Sequence, residues 1–91
     1  MGVPDKFYLS QNYPNPFNPS TNLGFGILEL GFVSLIVYDS QGKEVVTLIN
    51  ENKSPGYYNV QFDGSSLSSG IYFYRLESNG FVQTKRMMMV K

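Results

Sequence analysis

The sequence predicts an all-β protein, an antiparallel β-sandwich, on three observations. Apolar residues alternate at period two in segment after segment, and no window of adequate length carries a helical period. Turn residues recur about every 8–14 positions, the spacing of a small sandwich. Seven Tyr and seven Phe, with no Trp, enrich the chain in strand-favouring aromatics. Ninety-one residues allow one domain, expected over 7–91. Residues 1–6 read as a leader or cloning remnant, because Met1-Gly2-Val3-Pro4 has neither the charged nor the apolar region of a signal peptide.

Taken in order, Phe7 to Gln11 is a short apolar run suited to an edge strand. Tyr13-Pro14-Asn15-Pro16-Phe17-Asn18-Pro19 holds three of the five prolines. Proline fixes φ and removes a donor, so this run is neither helix nor central strand. It reads as a stiff, extended loop, with Tyr13 and Phe17 as apolar anchors against the core and Asn15 and Asn18 bonding nearby backbone. The alternative is a proline-rich linker.

Asn22 to Leu28 places Leu23, Phe25 and Ile27 on one face, and its two glycines mark a bulge or a close backbone approach. Glu29-Leu30-Gly31 is a turn. Phe32 to Tyr38 is nearly continuously apolar, which predicts a central strand with Val33, Leu35 and Val37 inward. Asp39-Ser40-Gln41-Gly42 has the residue choices of a type I turn, and Lys43 to Ile49 returns as its hairpin partner. Asn50 to Gly56 is polar and ends in the breaker pair Pro55-Gly56. Tyr57 to Phe62 alternates, with Tyr58, Val60 and Phe62 inward. Asp63 to Gly70 is a loop whose Leu67 plugs the core edge. Ile71 to Glu77 is an aromatic strand, Asn79-Gly80 is a strong hairpin signal, and Phe81 to Lys91 closes the chain.

Function classes are narrowed by what is missing. Formal net charge is zero, so there is no basic footprint for nucleic acid. No run approaches the roughly 18 apolar residues of a membrane helix. Cysteine and histidine are absent, which removes disulfides, thiol chemistry and a histidine-based hydrolase triad. Asp39 and Asp63 open turns beside glycine, the usual turn chemistry. Asp63-Gly64-Ser65-Ser66 is a poor calcium loop. No catalytic residue, cofactor or metal ligand is assigned.

Three stretches keep two readings each. Met87-Met88-Met89 is flexible core filler or a soft-metal site. Tyr72-Phe73-Tyr74 sends at least one ring into the core and leaves a sugar-binding face as an option, with Tyr57 and Tyr72 as its surface tyrosines. Lys85, Arg86 and Lys91, with no acid among them, form either an edge-strand guard against aggregation or a signal read by a partner.

Gln11 to Thr21, Val37-Tyr38-Asp39-x-x-Gly42-Lys43-Glu44-Val45, Pro55-Gly56, Phe62-Asp63-Gly64, Ser69 to Leu76 and the basic ending Lys85 to Lys91 occur in fixed order. Together they resemble the C-terminal sorting domains of type IX secretion substrates, of type A, over about residues 8–91. The chain is also similar to the Ig-like domain of flagellar hook-capping proteins, although the Pro/Asn opening and basic ending fit the sorting domain better. Gly24 and Leu28-Glu29 depart modestly from the family pattern.

The resemblance implies an Ig-like sandwich of about seven strands and a non-enzymatic role as the tail of an upstream cargo. It implies transit through the periplasm to the cell surface or medium. The partners implied are the type IX machinery and a sortase-like protease. Recognition features would fall on Pro14, Asn15, Pro16, Phe17, Asn18 and Pro19, on Gly70 and Tyr72, and on Lys85, Arg86, Met87 and Lys91. On this reading the exposed terminal strand is read by strand addition. The rival readings are a structural or adhesion module and a carbohydrate-binding domain. Exposed edges leave the oligomeric state open.

Overall fold

The computed structural model describes residues 3–91, so the Met1-Gly2 start lies outside the described residues. Seven strands form: β1 Tyr8–Leu9, β2 Ser20–Ile27, β3 Gly31–Asp39, β4 Glu44–Lys53, β5 Gly56–Asp63, β6 Gly70–Ser78 and β7 Phe81–Met89. They make two antiparallel sheets, ordered β1-β2-β5 and β4-β3-β6-β7. The expected all-β sandwich is therefore present. Its fourth strand lies beside β3 in the larger sheet, as the hairpin through Asp39–Gly42 requires.

The period-two pattern positions the core. Leu23, Phe25 and Ile27 from β2 face Val33, Leu35 and Val37 from β3, all completely buried. Tyr74 and Leu76 from β6, with Met87 and Met89 from β7, complete the layer. Each fully buried apolar side chain of this size stabilises the fold by about 1.5–3 kcal/mol. Without disulfides, this packing and the strand ladders hold the domain. The prediction that β3 is central is met, since it pairs with both β4 and β6.

Turn chemistry follows the residues. The Asp39 carboxylate accepts hydrogen bonds from the Gln41 and Lys43 amides, at 2.9 and 3.0 Å. Asn79 and Gly80 sit at φ 50° and 85°, the pair of positive values a type I′ hairpin needs. Gly26 makes the close approach its position suggested: a Cβ there would lie 2.2 Å from the Tyr8 ring. Tyr58 and Tyr72 each donate a phenolic hydrogen bond to a carbonyl four residues upstream, on Ser54 (2.6 Å) and Ser68 (2.7 Å). Each tyrosine thereby ties the loop before its strand to the strand itself.

Three expectations need correction. Residues 50–53 were expected in a polar loop, yet β4 runs on to Lys53, because Gly31 to Ser34 of β3 pair with Lys53 to Asn50. Polar side chains are no obstacle on an edge strand with a solvated face. The Pro/Asn segment is bent at residues 14–16 and 18–19 and is not extended throughout. Finally, Tyr13 anchors nothing. It is 79% exposed, because its backbone bridges Asn22, whose own side chain faces solvent.

Tyr74 connects the two sheets. Its hydroxyl donates to the Ser10 carbonyl at 2.6 Å from a fully buried ring. Burial pushes the phenol up to about 12, against the lowering effect of a hydrogen bond from the Asn12 backbone. A raised phenol value favours the neutral folded form, so this contribution is complete below pH 10 and is lost as pH rises from 10 through 12. The melting temperature of the wild type should therefore fall between pH 9.5 and 11.5 more steeply than that of Tyr74→Phe. Equal slopes in a thermal-unfolding pH series would refute this.

Candidate recognition site

At one end of the sandwich the chain's two ends meet. Residues 10–17 leave the smaller sheet and cross to the larger one. Ser10 still donates to Gly24 (2.8 Å), and Tyr13 exchanges hydrogen bonds with Asn22 (3.1 and 2.9 Å). Four residues later, Phe17 is bonded to β7: its amide donates to the Met88 carbonyl and its carbonyl accepts from the Val90 amide, both at 2.9 Å. This is a parallel bridge between Phe17 and Met89.

Side-chain amides extend the clasp. Gln11 Nε2 donates to the Arg86 carbonyl at 2.7 Å, and the Met88 amide donates to Asn15 Oδ1 at 3.1 Å. The terminal residue is held too: the Lys91 amide donates to Ser69 Oγ (2.9 Å) and its Nζ to the Ser65 carbonyl (3.0 Å).

Beneath the clasp lies a buried polar knot. Asn12, 2% exposed, donates from Nδ2 to Thr21 Oγ1 at 3.0 Å and to the Pro14 carbonyl at 3.1 Å. The Thr21 hydroxyl donates to the same carbonyl at 2.8 Å. An unpaired buried amide would cost about 1–3 kcal/mol, so these bonds fix the path of the proline segment. Phe17 is 1% exposed and packs edge-on to Phe62, with ring centroids 6.0 Å apart. Gly64 makes room for this: a Cβ there would sit 2.6 Å from the Met89 sulfur and 3.4 Å from the Phe17 ring.

The residues singled out from sequence thus divide. Pro14, Asn15, Pro16, Asn18, Pro19, Arg86 and Lys91 are exposed, and Gly70 and Lys85 are half-buried. Phe17, Tyr72 and Met87 are buried and contribute packing. All three sequence blocks nonetheless converge, since Gly70, Ile71 and Tyr72 pair with Met89, Met88 and Met87. Asn15, Pro16, Ile71, Arg86, Met87 and Met88 together line a shallow cleft of about 180 Å³.

The methionines alternate: Met87 and Met89 fill the core as expected, whereas Met88 is 42% exposed on the outer face. Tyr72, offered as a surface tyrosine for sugar, is buried with its hydroxyl bonded to Ser68, so that pair of contacts is not available. Asn18 makes no side-chain hydrogen bond among the described residues, and Asn15 bonds the distant Met88 in place of nearby backbone. Sequence reasoning also missed the holding roles of Gln11, Asn12, Thr21, Ser65 and Ser69. An amide-rich pair directly before a proline run was the available signal for the first two.

The terminal strand is not the free edge that sequence suggested. From the Arg86 carbonyl onward its outward backbone groups are taken by Gln11, Asn15 and Phe17. The physical reason is the crossing segment, which covers that edge with its own chain.

Fold and site together define a small all-β module that gathers its marked sequence blocks at one pole. The chain belongs to the family of secretion system C-terminal sorting domains, whose model matches residues 11–91. Among solved structures it is similar to dimeric latent PorU from Porphyromonas gingivalis, at 21% identity and a TM-score of 0.69. That likeness covers 88% of this chain and 9% of PorU, and it shows the shared sandwich. No curated protein matches the chain. Family membership makes the domain a C-terminal signal for type IX export of an upstream cargo to the cell surface or extracellular space, and the family is one of signals, not catalysts.

Replacing Asn12 by Ala should destabilise the domain by about 1–3 kcal/mol, because the Pro14 carbonyl and Thr21 hydroxyl lose a buried donor. Amide exchange at Met88 and Val90 should quicken in the same variant. Denaturant unfolding and hydrogen exchange check both, and unchanged exchange would separate the knot from the clasp.

Proposed function

We propose that the clasped pole is the surface read by the type IX machinery. The sandwich is the rigid support that holds Pro14–Pro19, the Gly70–Tyr72 block and Lys85–Lys91 in one arrangement. The observation that carries this reading is their convergence: Pro14–Pro19, more than 50 positions before the other two blocks, joins Lys85–Lys91 through the Phe17–Met89 bridge, and β6–β7 pairing adds the Gly70–Tyr72 block. Exposed Arg86 and Lys91 supply charge that sets orientation and encounter rate more than affinity. The cargo travels through the periplasm, and a sortase-like protease separates it from the domain after export.

The test is secretion of residues 3–91 fused behind a signal peptide and a fluorescent reporter, in a host with type IX export. Deleting Met87–Lys91 is too blunt, because it removes two core methionines, and losing such a side chain costs about 2–5 kcal/mol. Removing only Val90–Lys91 leaves Met87 and Met89 in place. That shorter variant, combined with Arg86→Gln, should stay folded and lose most export to the surface or medium. Wild-type export of the variant at an unchanged melting temperature would refute the reading. Retention of the folded wild-type fusion in the periplasm of two type IX hosts would do so as well.

A further inference from the structure

The crossing segment leaves part of β7 without backbone partners on its outer side, although β1 packs against this strand and Phe7 stacks on Phe81 with ring centroids 5.6 Å apart. The hydrogen bonds to Arg86, Met88 and Val90 all fall on even-numbered residues, so even positions of β7 aim their backbone groups away from β6. Val82 and Thr84 are the preceding even positions, and both are exposed. Among the described residues, nothing bonds the N–H or C=O of Val82 or Thr84, or the N–H of Arg86. A short ladder of unpaired groups therefore ends where Gln11 bonds the Arg86 carbonyl.

Other edges differ. The edge strand β4 carries two register shifts against β3 and mixed charges, with Lys53 bonded to Glu51 at 2.9 Å. On β7 the charge has one sign. Residues 79–91 contain Lys85, Arg86 and Lys91 and no Asp or Glu. The ion pairs among the described residues are Lys53–Glu51 and Arg75–Glu77, so neither Lys85 nor Arg86 is neutralised. Beside this edge lies the cleft of about 180 Å³ between Pro16, Ile71, Arg86 and Met88.

We propose that an acidic, extended segment of a partner protein pairs with β7 along Val82, Thr84 and Arg86, adding a fifth strand to the larger sheet. This rests on the export-signal reading and names how the signal is gripped. Main-chain hydrogen bonds to these unpaired groups supply the contact, and carboxylates of the added strand face Lys85 and Arg86. An apolar side chain of that strand enters the cleft. The clasped residues beyond Arg86 act as the stop that sets where the added strand ends. Without such a stop a strand pairing can slip, and each one-residue slip turns every side chain to the other face.

Proline separates backbone from side chain at the central position. The Thr84 N–H points away from β6, so Thr84→Pro removes a donor the domain does not use, a placement edge strands tolerate. Thr84→Ala keeps the donor. In the reporter fusion of residues 3–91, Thr84→Ala should be exported like wild type, and Thr84→Pro should be exported at least tenfold less while remaining folded by thermal unfolding. Wild-type export of folded Thr84→Pro, or an equal loss in Thr84→Ala, would overturn the proposal. If Thr84→Pro does not fold, the double variant Lys85→Glu with Arg86→Glu decides: a tenfold loss in a folded protein supports it, and undiminished export overturns it. A wild-type fusion that is itself not exported would overturn the signal reading beneath it, which distinguishes the two failures.

Discussion

The structure depends on how the chain's first segment changes sheets. A sandwich of two open sheets has edges on both sides, and each edge presents unpaired backbone groups. Here one continuous run, Ser10 to Phe17, pairs with β2 at its start and with β7 at its end. It ties the smaller sheet to the larger and covers the end of β7 in one pass. Between the two pairings the segment makes no backbone ladder bond to either sheet, and that is where Pro14 and Pro16 stand. A residue without an N–H leaves no donor to satisfy there. The prolines that looked like linker chemistry are the residues suited to a gap between two ladders.

The buried knot of Asn12, Thr21 and Pro14 has a related logic. Burying an amide is unfavourable unless its donors and acceptor find partners. Asn12 finds them on the crossing segment and at the start of strand β2, while its Oδ1 accepts from Gln11 at 2.7 Å. Gln11 in turn reaches the Arg86 carbonyl. A continuous polar path thus leads from the interior of the smaller sheet to the edge of β7. Only one trajectory of the segment satisfies all of it, whereas apolar side chains at the same places would accept many.

Much of the fold was legible because it rests on local patterns. Val33, Leu35 and Val37 announce an inward face by alternation, and Asn79-Gly80 announces its hairpin through the positive φ values both residues tolerate. β4 was read short because edge strands need no apolar run, and Asn50 to Asn52 look like loop when judged by polarity alone. Tyr13 was misjudged for the complementary reason: an aromatic beside a proline suggests an anchor, but its pairing with Asn22 sends it to solvent. The clasp was not legible from local pattern at all. Its bonds join residues 73 and 75 positions apart and run largely between backbone atoms and side-chain amides. Such groups carry no periodicity, so only the order of the motifs hinted that they belong together.

That hint merges two physical roles. Phe17, Gly64, Tyr72, Met87 and Met89 all lie within the marked blocks, and all are packing positions: one ring, one gap for a sulfur, one tied tyrosine and two sulfur-bearing fillers. Asn15, Pro16, Arg86 and Lys91 lie in the same blocks and face outward. A signal made of several short segments keeps its shape only if some residues of each segment are committed to the interior. The buried members hold the exposed ones in register, in the way that inward side chains fix which face of a strand is displayed. The marked blocks are therefore a single surface and its own foundation, and substitutions within them should be sorted by burial before any is read as a lost contact with a partner.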